Sequence, residues 1–268
     1  MAIYALDGPP PDEAAHSGHE STYDWLDDDG LAAAIADLPE RPLGIDPVGE
    51  IRLSLAGAQD KLPVFIDRDG RVGLPRGRSP SSHIIKAPLR QADSVLNEAL
   101  CLGLAAELGL VAARVEPRTV AGQEFLLVER YDRRQREGRL IRVHQEDFAQ
   151  ALSVPSSSKY ESEGGPGAVA WIEVLRRSPR QPALHVPAFA HPLRLNVRLG
   201  NADAHSKNFS LLLDDDGPRL APLYDILCTR CYTGLSWRMA MKIGGQDKAE
   251  WLSERNWDTF ATEAGLGA

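Results

Sequence analysis

Over the first half of the chain, apolar and polar residues alternate in short runs broken by glycine and proline. Leu31 to Leu38 (LAAAIADL) is the exception and predicts a short helix stopped before Pro39. Ile51 to Gly57 (IRLSLAG) alternates and then breaks at glycine. LPVFIDRDGRVGLP predicts two strands around the turn Asp69-Gly70. SSHIIKAP predicts another strand, closed by Pro88. Ser94 to Leu110 (SVLNEALCLGLAAELGL) carries apolar residues at three-to-four spacing, with Ser94 as N-cap and Gly109 near the stop. It is the clearest helix in the sequence. ARVEPRTV and EFLLVER then predict strands parted by Ala121-Gly122.

Beyond Val143 the texture changes. HQEDFAQAL predicts a helix, SSSKYESEGGPG a flexible polar loop and AVAWIEVLRR a second helix. FAHPLRLNVRLG, after Pro187, is helical in pattern, with Pro192 either starting or interrupting it. SLLLDDDGPRL predicts a hairpin, LAPLYDIL a strand ending at Asp225, and NWDTFATEAGL a last helix. A β-rich half followed by a helix-rich half predicts an α+β fold of two lobes. The expected boundaries are a disordered arm over 1–22, an N-lobe over 23–132 and a helical C-lobe over 133–268.

Composition narrows the function class. Apolar residues make up 43% and charged residues 25%, a globular mix. The net charge of −8 argues against this chain alone wrapping nucleic acid. No apolar run approaches the ~18 residues of a membrane span. The first residues, MAIYALDGPPPDEAAHSGHE, lack the pattern of a secretion signal, so cytoplasm is the default expectation. Cys228 and Cys231 have CxxC spacing, but zinc wants four ligands and only Cys101 remains. The expectation is therefore ordinary thiols.

Candidate chemistry concentrates in Gly200-Asn-Ala-Asp-Ala-His-Ser-Lys-Asn-Phe209. Asp203 and Asn208 have the D-x-x-x-x-N spacing of a kinase catalytic loop, in which the Asp accepts the acceptor's hydroxyl proton and the Asn ligates magnesium. Asp225 follows where that template needs a second magnesium ligand, a carboxylate. Alone, each reads equally as a turn or cap residue, and His205 and Lys207 as solvated loop residues. The order decides: a strand Lys, a helix Glu, a hinge, the loop, then an Asp. Lys86 sits in an apolar strand, where an unpaired ammonium is costly unless a phosphate or carboxylate meets it. Its alternative is an edge position facing water. Glu98, in the clear helix, is its candidate ion-pair partner or else a solvated residue. LAGAQDK, Leu55 to Lys61, is a small-residue turn whose N–H groups could lie over phosphates. It lacks the P-loop pattern.

RLSLAGAQDKLPV, HIIKAP, NEALCLGLAAELGL, LLVERYDR, RVHQEDFAQAL, KYE…GGPG, GNADAHSKNFSLL and LAPLYDIL, in this order, resemble the HipA family of bacterial serine/threonine kinases. The resemblance spans about Ile51 to Asp225, with weaker similarity to the end. It implies a two-lobed protein-kinase-like fold that binds ATP and Mg²⁺ and phosphorylates a protein serine or threonine. It also implies a toxin paired with a helix-turn-helix antitoxin, with DNA met only through that partner, and a translation component as substrate class. By resemblance, Asp203 is the catalytic base, with His205 and Lys207 lining the catalytic loop. Asn208 and Asp225 are the metal ligands. ATP is met by Ala56, Gly57, Ala58, Lys61 and Lys86, and by the hinge Glu129, Arg130 and Tyr131. Ser54 is the autophosphorylated serine. The family's additional N-terminal subdomain and closing helices have no match here, so a short form, truncated at its C-terminal end, is expected. Two readings compete with an active protein kinase: an impaired kinase fold acting as a binding module, and a small-molecule kinase.

Overall fold

Alternation in the first half resolves into one antiparallel sheet. The computed structural model describes residues 21–38, 60–155, 158–177 and 182–266. The segment holding Ser54, Ala56, Gly57 and Ala58, and the first twenty residues of the predicted arm, lie outside them. Strands β1 (Tyr23–Leu26), β2 (Lys61–Ile66), β3 (Val72–Pro75), β4 (His83–Lys86), β5 (Val115–Val120) and β6 (Gln123–Glu129) pair in the order β1-β3-β2-β4-β6-β5. The Asp69-Gly70 and Ala121-Gly122 turns fall where the sequence predicts them. Both residues of the second turn have positive φ, as a two-residue hairpin requires. Pro63 is tolerated inside β2 because that end of the strand pairs with β4 alone, Pro63 facing Ile84.

Helix α1 (Asp28–Ala36) starts one turn earlier than its apolar pattern, because the Asp27 side chain accepts from the Gly30 N–H at 2.8 Å. Its Leu31 and Ile35, with Leu38 just beyond, pack on Leu62, Val64, Ile85, Phe125 and Leu127 of the sheet. Helix α2 (Ser94–Glu107) matches its prediction, with one correction at the start. Ser94 is not its N-cap: Asp93 takes that position in a left-handed conformation, and the Ser94 hydroxyl accepts from the Leu89 N–H at 2.8 Å. At the other end Gly109 (φ +78°) donates to the Ala106 carbonyl and Leu110 to that of Ala105, the pair of bonds that closes a helix on a left-handed glycine.

The second half mixes helices with short strands. These are the ribbon β7 (Arg133–Arg136) and β8 (Arg139–Arg142), then β9 (His144–Asp147), α3 (Phe148–Ala151), α4 (Ala168–Arg177) and α5 (Pro182–Leu199). Next come β10 (Ser210–Asp214), β11 (Gly217–Leu220), β12 (Arg238–Ile243), β13 (Gln246–Lys248) and α6 (Glu254–Glu263). HQEDFAQAL is thus only half helical. Its first residues pair with β10, Asp147 opposite Ser210, and Asp147 then caps α3 in a reciprocal box with Gln150. Pro192 neither starts nor interrupts α5, which runs through both Pro187 and Pro192. Burial of Val186, Phe189, Leu193 and Leu195 outweighs the two missing N–H bonds.

Phe148, Trp171, Phe189 and Phe209 centre the larger core, every ring pair lying within 6.4 Å centroid to centroid. Cys101, Leu102 and Ala105 of α2 belong to that same core. Helix α2 therefore lies between two strands of the sheet in sequence but packs into the core of the second half. Its other face carries Leu96, Leu100 and Leu104 into solvent. Among the described residues no helix is long and apolar enough to cross a membrane.

This orientation separates two leucines of one helix. Leu102→Ala, at 2% exposure, should lower the unfolding free energy by about 2–5 kcal/mol, whereas Leu100→Ala, at 74%, should change it by less than about 0.5 kcal/mol. Denaturant titration of the two variants checks this, and equal losses would contradict the packing.

Candidate active site

Lys86 stands at the end of β4, between Lys61 of β2 and Leu126 of β6, and is 4% exposed. This excludes the edge position facing water. Its ammonium donates to both Glu98 oxygens, at 2.6 and 2.7 Å, and to Oδ1 of Asp225. All three N–H bonds of the ammonium thus have carboxylate acceptors. Burial would pull the Lys86 pKa down, but Asp225 and then Glu98 outweigh it and hold it above the ordinary lysine value. Burial would likewise raise Asp225, and Lys86 followed by Lys61 instead holds its carboxyl well below the usual carboxylate range. For Glu98, 3% exposed, burial wins over Lys86 and the pKa is raised. Lys61 points to the same place, its Nζ 3.9 Å from Oδ2 of Asp225, and burial lowers its pKa.

Asp225 does not end a strand, contrary to the sequence reading. It follows a single parallel bridge between Leu223 and Ala112, where the Leu223 N–H donates to Val111 and the Ala113 N–H to Leu223. At φ +56° it holds a left-handed backbone that a residue with a side chain rarely adopts. Tethers on both sides hold it there. Ahead of it, Tyr224 donates to the Lys207 carbonyl at 2.8 Å and meets the Ser210 hydroxyl at 2.5 Å. Behind it, Asn97 of α2 takes the Cys228 N–H on its carbonyl oxygen at 2.8 Å and donates to the Cys228 carbonyl at 3.0 Å.

The Asp203–Asn208 loop is fixed from its first residue. Gly200 has φ +69°, and a Cβ there would lie 2.4 Å from the Arg230 side chain. Thr229 donates to the Gly200 carbonyl at 2.9 Å and accepts from the Ala202 N–H at 2.8 Å. Asn201 accepts from the Asp203 N–H at 3.1 Å and donates to Asn196 of α5 at 2.7 Å. Asn208 closes the loop and is buried, and the next residue, Phe209, enters the aromatic core. The Asp203 side chain remains 54% exposed and accepts from the Tyr160 hydroxyl. His205 is buried with Nε2 3.9 Å from Oδ1 of Asp203, and burial pushes its imidazole pKa down, keeping it uncharged at neutral pH.

The structure therefore brings Lys61, Lys86, Glu98 and Asp225 into direct contact, with Asp203, His205, Lys207 and Asn208 on one tethered loop. The hinge residues lie at the end of β6. The Glu129 N–H donates to Arg114 and the Arg130 N–H to Ser82, while Arg130 and Arg133 converge on Asp132. Among the described residues no group of three or more His, Cys, Asp or Glu could hold a metal unaided. The donor set instead offers the Asn208 and Asp225 side-chain oxygens. That fits a Mg²⁺ that keeps water and takes its remaining oxygens from phosphates. Cys101, Cys228 and Cys231 are free thiols. Sequence reading missed Tyr160, Asn97, Asn196, Asn201 and Tyr224, which steady the site through hydrogen bonds. Only Asn201, next to Gly200 at the head of the loop, carried a local turn signal.

Removing the ammonium leaves two carboxylates facing each other. Lys86→Met should cost about 3–5 kcal/mol of unfolding free energy at pH 7, as breaking a buried pair does. The loss should shrink at pH 5, because Glu98 and Asp225 then rise and take up protons that the unfolded chain does not yet bind. In the intact protein Asp225 acts with the opposite sign. Held below its unfolded value of about 4, it stabilises fully above that pH and progressively less as pH falls through it. Unfolding titrations at both pH values check this; a pH-independent loss under about 1 kcal/mol would contradict the buried cluster.

Residues 53–268 match the sequence profile of the HipA-like C-terminal domain. A Sinorhizobium fredii protein named "Putative kinase Y4mE" is 48% identical over 244 residues, covering 90% of this chain and 58% of that protein. The "Serine/threonine-protein kinase toxin HipA" of Shewanella oneidensis is 32% identical over 207 residues, covering 73% of this chain and 47% of that one. A solved Shewanella oneidensis complex of HipA, HipB and operator DNA contains a chain that superposes with a TM-score of 0.78 at 28% identity. The match covers 92% of this chain and 60% of that one. The chain spans about half the length of the curated relatives it matches. By its sequence and by its fold, this chain belongs to the HipA-like C-terminal domain family.

Proposed function

We propose that this chain is an ATP-dependent kinase that transfers the γ-phosphoryl group to a serine or threonine hydroxyl of a protein. The carrying observation is the buried Lys86 ammonium, held between a helix carboxylate and the Asp225 carboxylate beside a D-x-x-x-x-N loop. Bound Mg-ATP supplies the phosphoryl group and the charge neutralisation. Lys86 binds the phosphates when one of its donors leaves Asp225, while Glu98 keeps the ammonium in place. Lys61 adds a second cation on the same side. Asp225 and Asn208 hold Mg²⁺, and Asp203 accepts the proton of the attacking hydroxyl. The family resemblance assigns Ala56, Gly57 and Ala58, which lie outside the described residues, to phosphate binding, and Glu129, Arg130 and Tyr131 to adenine. Ser54, also outside the described residues, is by the same resemblance a self-phosphorylation site whose added charge of about −1.5 to −2 would repel the triphosphate.

The same reading extends to partners. The Shewanella oneidensis structure is described as a toxin–antitoxin system with HipB and operator DNA. By analogy, this chain is the toxin kinase of such a pair, meeting DNA only through a helix-turn-helix antitoxin and phosphorylating a translation component in the cytoplasm.

Asp203→Ala should lower phosphoryl transfer about 10²–10⁴-fold while Mg-ATP still raises the melting temperature, because the base orients the acceptor rather than the nucleotide. Asp225→Ala should lose the magnesium-dependent part of that thermal shift. Peptide mass spectrometry after incubation with Mg-ATP should find phosphate on Ser54. Equal transfer rates in the wild type and Asp203→Ala would remove the kinase assignment.

A further inference from the structure

Of the ten large apolar side chains exposed among the described residues, five lie close together: Leu96, Leu100, Leu104, Leu108 and Val111. Exposed apolar surface is thus concentrated on one helix. The four leucines recur at every fourth residue, which lines them up as one ridge along the outer face of α2. The opposite face carries the buried Glu98, Cys101, Leu102 and Ala105. A helix wetted on one side ordinarily carries charged residues there. On α2 the outer face has Glu107 alone, because the other charged residue, Glu98, is buried. The five side chains leave about 500 Å² of apolar surface open, at the upper end of the largest patch a monomer shows.

Beside the ridge runs a lower row at the same pitch, Ala99 and Gly103. Gly103 is exposed within the helix, and a Cβ there would meet nothing within 4 Å. Glycine weakens a helix relative to alanine, and no contact within the chain calls for it here. A ridge and a low row at one pitch fit each other, so the ridge of one α2 seats in the row of an identical one. A twofold contact requires that kind of patch, one that matches itself. Charge fixes the direction. Parallel helices would set Glu107 against Glu107. Antiparallel helices part the two carboxylates and turn each toward the positive N-terminal end of the other α2. There the Asp93 side chain caps no N–H and the first turn holds no acid.

We propose that the outer face of α2 is a dimerisation surface, paired antiparallel with the same face of a second copy of this chain. Leu100 and Leu104 of each copy seat beside Gly103 of the other, and Leu96 of one lies near Leu108 of its partner. The pair buries about 1,000 Å² in total, close to the lower bound for a specific interface, so the dimer is weak and depends on concentration. The pairing does not depend on the kinase reading of the site.

Sedimentation equilibrium of the full chain should show a monomer–dimer equilibrium with a dissociation constant on the order of 1–100 μM. Leu100→Glu leaves the monomer intact, since the side chain is exposed, and should weaken the dimer at least about 100-fold by placing a charge in an apolar contact. Gly103→Leu has open space in the monomer but fills the row, and should weaken the dimer about ten-fold. A face that is merely sticky would associate more strongly with that added leucine. Glu107→Gln should weaken the dimer about two- to five-fold, whereas relief of a parallel Glu107 pair would strengthen it. A wild type that stays monomeric up to about 100 μM overturns the proposal, as does association without limit beyond a dimer. A dimer unaffected by Leu100→Glu, or strengthened by Gly103→Leu or Glu107→Gln, overturns it equally.

Discussion

The arrangement depends on one ammonium that cannot reach water. Lys86 is buried on a strand with neighbours on both sides, so its charge must be matched within the protein. Two carboxylates match it, and they come from parts of the chain far apart in sequence: Glu98 from α2 and Asp225 from an irregular segment. Moving either element away would strip the buried ammonium of one of its two carboxylate partners. The cluster thus ties the first sheet, the helix and the later half together at one point.

Helix α2 transmits that constraint. On one face it offers Glu98 to Lys86 and Asn97 to the backbone of Cys228, and it sinks Cys101, Leu102 and Ala105 into the aromatic core. The Asp203–Asn208 loop meets the same core through Phe209, so packing of Phe148, Trp171, Phe189 and Phe209 sets the level of both. Hydrogen bonds do the finer placement. Asn196, Asn201 and Thr229 hold the head of the loop, Tyr224 holds the Lys207 carbonyl, and Tyr160 meets Asp203 from outside. Most of these groups are half-buried or buried, where such bonds are stronger and unmade ones costly.

The sequence by itself determined the elements whose signals are local. Alternation around Asp69-Gly70 and Ala121-Gly122 specified four strands, because each turn needs a residue that tolerates positive φ. Three-to-four spacing ending at Gly109 specified α2. The order Lys86, Glu98, Asp203, Asn208, Asp225 marked the candidate site, because it is the order of the protein-kinase template. Where local signals competed with distant partners, they misled. His144–Asp147 became a strand because β10 lay open beside it, α5 ran through Pro192 because its apolar face had a core to fill, and Ser94 bonded Leu89 rather than capping its helix.

Only the tertiary structure decided how those residues meet. Spacing could not say whether Lys86 faced water or the interior, since alternation is unchanged by which face is covered. It could not place Asp225, whose left-handed backbone is held by bonds from its neighbours to Val111, Lys207 and Asn97 in three separate regions. Nor could it bring Tyr160 to Asp203, because nothing within a few residues of either points to the other. Local sequence dictates backbone preference within a turn or two. Contacts across a hundred residues are set by which apolar surfaces can be buried together, and the buried charges must then find each other or leave the fold unstable.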